Sequence, residues 1–103
     1  METTSISIEK IKQILTPELP RLKKKFHISY LGIFGSYARS EQQPDSDVDI
    51  LVDFDPNHYP GFLELIALED ELSEVVGKRV DLVTKSSLRK RIGKQILDEA
   101  TSL

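Results

Sequence analysis

The sequence predicts a small α+β fold, a mixed β-sheet flanked by helices, from three observations. Two apolar runs, Ile28 to Phe34 and Asp47 to Phe54, have the length and composition of strands, and a shorter one, Val80 to Val83, follows. Around them apolar residues recur at helical spacing. The chain has 103 residues, 39% of them hydrophobic, which suits one compact domain over 1–103. A chain of that size buries somewhat over roughly 60% of its unfolded surface.

Taken in order, Ile8, Ile11, Ile14 and Leu15 follow Ser7, a residue suited to an N-cap, and predict a first helix. Pro17 and Pro20 end or kink it, and Leu19 and Leu22 lead through a further helical turn to Phe26. The first strand ends at Phe34, and Asp55-Pro56-Asn57 closes the second with turn chemistry. Phe62, Leu65, Ile66, Glu69, Leu72 and Val76 trace an amphipathic helix that Gly77 terminates. After the third strand, a last helix runs from Ser86 or Ser87 toward Ala100, burying Leu88, Ile92, Ile96 and Leu97, with Gly93 a weak point inside it.

Composition narrows the chemistry. With no cysteine, disulfides, thiolate metal sites and cysteine nucleophiles are excluded. Met1 to Ser5 has neither a basic region nor a long apolar core, and no segment approaches the ~20 apolar residues of a membrane span, so a cytoplasmic protein is expected. Seventeen acidic against 14 basic residues leave a net charge of −3, which argues against direct binding to nucleic acid. Of two local basic clusters, Arg21, Lys23, Lys24 and Lys25 read as a solvated helix face. Lys85, Arg89, Lys90, Arg91 and Lys94 divide evenly between that and contact with phosphates or an acidic partner.

Function is legible in Gly35-Ser36-Tyr37-Ala38-Arg39 and, after a polar loop, Ser46-Asp47-Val48-Asp49. Each half adjoins an apolar strand, so both belong at the rim of a sheet. Strand periodicity turns Asp47 and Asp49 to the same side, with Cα atoms roughly 6.6 Å apart. Their repulsion is of order 2–3 kcal/mol at intermediate dielectric, an upper figure where water screens the pair. A divalent cation would reverse its sign, and Mg²⁺ is commonly held by one or two carboxylates together with substrate phosphates. Gly35 allows a sharp turn and close backbone approach, and Ser36 adds a hydroxyl at the expected start of a short helix, a place that attracts phosphate. Taken singly, Gly-Ser is usually a turn and Asp-x-Asp a strand end. The joint pattern has far fewer structural explanations.

The stretch from Gly32 to Phe54 resembles the minimal nucleotidyltransferases of the DNA polymerase β-like superfamily, whose pattern reads G-S-x-A-R-G, a loop, S-D-x-D and an apolar strand. Gly35, Ser36, Ala38, Arg39, Ser46, Asp47 and Asp49 match, and Ser40 stands where the family has glycine. Serine is small enough to keep the loop. The resemblance implies a third carboxylate on the neighbouring strand. Asp81 occupies the matching place, although alone it would read as an acid on the solvated face of an edge strand. Asp53, on the same face as Asp49 but about 13 Å along the strand, is too distant to share its metals.

By this resemblance Asp47, Asp49 and Asp81 are the catalytic and metal-binding residues of a two-metal Mg²⁺ site. Asp47 and Asp49 would carry the metal of the nucleotide, Asp49 and Asp81 a second, and Asp81 could also accept the proton of the attacking hydroxyl. Gly35, Ser36, Arg39 and Ser46 form the nucleotide-binding set, within which Arg39 leans toward steadying the loop and Ser46 toward ordering the turn. His27 and His58, isolated in sequence, read as solvent-facing or core residues. Tyr30 and Tyr59 read as structural, whereas Tyr37 lies inside the motif and has a modest prospect of touching nucleotide.

The implied activity is Mg-dependent transfer of AMP from ATP to a hydroxyl, a tyrosine, of a partner HEPN-domain toxin, which would make the chain the antitoxin enzyme of a two-gene module and part of a hetero-oligomer. The alternative is a non-catalytic antitoxin or nucleotide-binding module that neutralises its partner by complex formation. Transfer to a small molecule, as in the aminoglycoside nucleotidyltransferases, is a third class. It is disfavoured because those enzymes use additional protein for the acceptor.

Overall fold

A computed structural model describes residues 7–88 and 90–103, without the side chains of residues 90–92 and 95. The expectations for Met1 to Ser5, for Arg89 and for the side chains of Lys90, Arg91 and Ile92 lie outside the described residues.

Helix α1 (Ile8–Leu15) starts at Ser7, whose hydroxyl accepts from the Lys10 N–H at 3.2 Å, and buries Ile11 and Leu15. The two prolines do not end helical structure. Thr16–Glu18 forms a 3₁₀ turn with Pro17 in it, and α2 (Leu19–Phe26) begins with Pro20 in its first turn, where a missing N–H is harmless. His27 ends α2 in the left-handed conformation at φ 58°. Strands β1 (Ile28–Phe34) and β2 (Val48–Phe54) pair antiparallel, Phe34 facing Asp49 and Gly32 facing Leu51. Helix α3 (Phe62–Val76) carries the chain back, so that β3 (Val80–Thr84) lies parallel to β2. Helix α4 (Lys90–Glu99) starts later than the sequence suggests, because Lys85–Ser87 forms a 3₁₀ turn first. It leads to β4 (Thr101–Ser102), a two-residue strand that no periodicity could announce, paired with Gly32 and Ile33 of β1. The sheet order is β3-β2-β1-β4.

Alternation along β2 divides the molecule. Val48, Ile50, Val52 and Phe54 turn toward α1, α2 and α3 and join Leu31, Ile33, Leu68, Leu72 and Val76 in the core. Asp49, Leu51 and Asp53 turn to the opposite face. The apolar stripe of α3 is displaced from the expected one: Leu68, Leu72 and Val76 are buried, while Phe62 and Ile66 at its start are exposed. Leu97 of α4, expected in the core, is also exposed. Arg21 and Lys25 are more than a solvated face, since both pair with Glu71 and tie α2 to α3.

Strand β3 lies at one side of the sheet, and α3 covers its outward amides at Val80 and Leu82. The Val80 N–H donates to Ser73 Oγ at 3.0 Å and the Leu82 N–H to Glu69 Oε2 at 2.9 Å. Such covered amides cannot template another strand. Among the described residues no helix is long and apolar enough to cross a membrane.

Tyr37 corrects the expectation of nucleotide contact. It is fully buried in the helix-facing core, and among the described residues its hydroxyl has no hydrogen-bond partner. A buried hydroxyl without a partner costs about 1–3 kcal/mol. Tyr37→Phe is therefore expected to raise stability by about 1 kcal/mol, read as a higher midpoint in thermal unfolding. A lower midpoint would show that the hydroxyl is held.

Candidate active site

The site begins where β1 ends. Gly35 takes φ 76°, and the following five residues form a turn in which the Arg39 N–H donates to the Gly35 carbonyl at 3.1 Å and the Glu41 N–H to that of Ser36 at 2.8 Å. The expected short helix reduces to this hydrogen-bonded turn. Ser40 takes φ 58°, which explains the family's preference for glycine there: the loop survives serine, with a strained residue inside it. Ser46 orders the entry to β2, its hydroxyl accepting from the Gln43 N–H at 2.8 Å.

The parallel register sets Asp49 of β2 directly beside Asp81 of β3. Alternation puts both on the face away from the helical core, and Asp47 lies two residues before Asp49 at the same rim. Gly35 presses against Asp49 from the other side. A Cβ added at Gly35 would lie 2.1 Å from Asp49 Oδ2, so a side chain here would have to displace the Asp49 carboxylate, and the backbone angles favour glycine as well. Burial first, and then the charges of Asp81 and Asp47, push the Asp49 carboxyl up from 3.8 to about 6, with Arg39 opposing and Glu99 adding to the effect. Asp47 is exposed, with Arg79 Nε at 4.0 Å from its Oδ2. Asp53, on the same face further along, accepts from the Phe54 N–H.

Among the described residues no three His, Asp or Glu side chains converge as a ready metal cage. The donor set nonetheless suits a hard cation. Carboxylate oxygens at one rim, one of them with a raised proton affinity, are the arrangement whose repulsion a divalent ion relieves, and Mg²⁺ asks for only one or two carboxylates beside phosphate oxygens.

Two acids that the sequence reading passed over complete the site. Arg39 Nε donates to Glu41 Oε1 at 2.9 Å, and Arg39 Nη1 to Glu99 Oε2 at 3.1 Å. The same Glu99 oxygen accepts from the Gly35 N–H at 2.9 Å. Arg39 thus steadies the loop through acids. Glu99 gave no signal in the sequence, where it reads as one more polar residue on an amphipathic helix. His27 and His58, apart in sequence, stack at 4.2 Å near the far end of β2, next to Asp55.

Two outcomes test this geometry. Ser40→Gly removes a left-handed serine and is expected to stabilise the chain by roughly 1 kcal/mol, raising its melting temperature. Folded Asp49 holds its proton more tightly than unfolded Asp49, so its contribution to stability is full below about pH 4 and is lost as pH rises through about 6. Asp49→Asn in metal-free buffer is therefore expected to melt higher than wild type at pH 7, by on the order of 1–2 kcal/mol after solvent screening. The gain should vanish near pH 4 in melts across that range.

Comparison with known proteins agrees with this geometry. Residues 17–103 match the nucleotidyltransferase domain family. The protein adenylyltransferase MntA of Thermococcus cleftensis is 47% identical over 94 residues, covering 91% of this chain and 93% of the relative. A solved minimal nucleotidyltransferase superposes with TM-score 0.79 at 31% identity, covering 95% of this chain and 97% of the other. Two toxin-antitoxin complexes share the fold. One, solved with AMP-PNP, gives TM-score 0.69 at 22% identity over 84% of this chain and 69% of its own. The other, tri-AMPylated Shewanella oneidensis HEPN toxin with an MNT antitoxin, gives 0.64 at 19% over 88% and 70%. With a family match across most of its length and the paired acids of β2 and β3 behind a Gly-Ser turn, this chain belongs to the nucleotidyltransferase family and is a minimal nucleotidyltransferase.

Proposed function

We propose that this nucleotidyltransferase moves AMP from ATP to a tyrosine hydroxyl of a HEPN-domain toxin and so acts as its antitoxin. The observation that carries the reading is the Asp49 and Asp81 register beside Gly35 and Ser36, in a chain 47% identical to a protein adenylyltransferase along nearly its whole length. The structural neighbours add support: one complex holds AMP-PNP, and another holds a HEPN toxin that bears AMP.

In this reading the Ser36 hydroxyl and nearby backbone amides take the terminal phosphates, which leaves the α-phosphorus open to attack. Asp47, Asp49 and Asp81 would hold Mg²⁺, which when bound neutralises phosphate charge and lowers the pKa of the attacking hydroxyl. Asp81, exposed at the edge strand, would receive that hydroxyl's proton. Asp49 lies half-buried between Gly35 and Asp81, and charges preset in this way carry most of the catalysis in phosphoryl-type transfer. Asp49 and Asp81 lie on the sheet face away from α1, α2 and α3, so a partner can approach them without disturbing the core.

Asp81→Asn separates catalysis from simple neutralisation. The variant is expected to bind Mg-ATP through Asp47 and Asp49 while adding no AMP to the toxin. Intact-mass measurement of the toxin after incubation with Mg-ATP reads this directly, with the wild type adding AMP. An unmodified toxin with the wild-type chain, combined with full neutralisation by Asp81→Asn, would establish the non-catalytic antitoxin instead.

A further inference from the structure

The C-terminal segment reaches into the site through one side chain. Glu99 is the last residue of α4, and its side chain is only 20% exposed. Its Oε2 gathers the Gly35 N–H and Arg39 Nη1, and Oε1 lies 3.2 Å from the same nitrogen. These two donors stand at the two ends of the turn that contains Ser36. Glu99 is itself held from both sides. The Ala100 N–H closes α4 on the Ile96 carbonyl at 2.9 Å, and Thr101, Ser102 and Leu103 bond to β1, Leu103 through its N–H to the Leu31 carbonyl at 2.9 Å. A carboxylate fixed in this way sets where both ends of the turn lie.

Its charge distinguishes this from ordinary anchoring. A neutral acceptor would bind the Gly35 amide as an anchor. A carboxylate at this place adds to the negative charge felt by Asp49, which is unfavourable, and is compensated only toward Arg39. We infer that Glu99 is a positioning residue for nucleotide binding, acting through the Arg39 guanidinium and the Gly35 amide to hold the phosphate-binding turn in place. The inference rests on ATP as the donor, as proposed above. It assigns to the C-terminal helix a part in a site otherwise built from β1, β2 and β3.

A double-mutant cycle with Mg-ATP affinity as its readout, measured by calorimetry on the whole chain, tests it. Glu99→Gln keeps an acceptor for the Gly35 amide but loses the charge facing Arg39. It is expected to weaken Mg-ATP binding about ten-fold, a loss of one charge-assisted contact. Arg39→Ala should weaken binding by a comparable factor, and the double variant should bind no worse than the weaker single one, because the two residues act as a unit. Thermal melts establish that each variant is folded. Should Glu99→Gln not fold, Glu99→Asp, which keeps the charge but shortens its reach, carries the test, with intermediate affinity expected and unchanged affinity overturning the inference. Effects that multiply, or Mg-ATP binding by Glu99→Gln equal to or tighter than wild type, also overturn it and leave Glu99 a tether or a competitor of phosphate. Failure of the wild-type chain to bind Mg-ATP is a separate result, which removes the proposed donor and this inference together.

Discussion

The carboxylate of Asp49, pressed against the backbone of Gly35 and flanked by Asp81, is the constraint on which the other features of the site depend. Burial of the group and like charges beside it are both unfavourable, and together they raise the proton affinity of Asp49 against the opposing charge of Arg39. Such a group stays in place only where the surrounding structure leaves it no alternative. The sheet supplies that: Asp49 is opposite Phe34 across the antiparallel pair and beside Asp81 across the parallel pair, so its backbone is fixed from two sides. Glycine at 35 is then favoured twice, by its φ of 76° and because a Cβ would displace the Asp49 carboxylate.

This strain is offset elsewhere. One face of the sheet is covered by α1, α2 and α3 around fully buried Ile11, Leu15, Leu22, Ile50, Leu68 and Leu72. Burying a side chain of that kind contributes about 1.5–3 kcal/mol. The parallel β2 and β3 pair that aligns the acids is joined through α3, and Ser73 and Glu69 of that helix also cap the outward amides of β3. The same helix therefore carries core, crossover and edge protection.

Much of this was legible in the sequence, and the residues show why. Ile28 to Phe34 and Phe62 to Val76 were bounded correctly because strand and helix periods are local and their ends carry turn or glycine signals. The motif acids were legible because Gly-Ser and Asp-x-Asp recur in a fixed order. What escaped is what only tertiary contact decides. Strand β4 has two residues and exists by pairing with Gly32 and Ile33. The exposure of Phe62, Ile66 and Leu97 depends on which face of each helix meets the sheet, and an apolar stripe alone does not fix that. Glu99 lies 64 residues from the amide it binds. Ser40 lies between these cases: the departure from the family's glycine was visible in sequence, but its left-handed backbone shows only in the fold.

The charge at the site bears on the form in which a nucleotide arrives. Asp47, Asp49, Asp81 and Glu99 place four carboxylates at one rim, with the guanidiniums of Arg39 and Arg79 beside them. Arg79 is largely in water, and Arg39 is committed to Glu41 and Glu99. The described acids therefore oppose a bare triphosphate, by on the order of 1 kcal/mol per close charge pair in water. On the proposed reading, a divalent cation changes the sign for both partners at once, since it screens the acids from one another and from the phosphates. Metal and nucleotide then bind as a unit, and the open rim formed by three acids that do not converge on their own is consistent with a cage completed by phosphate oxygens.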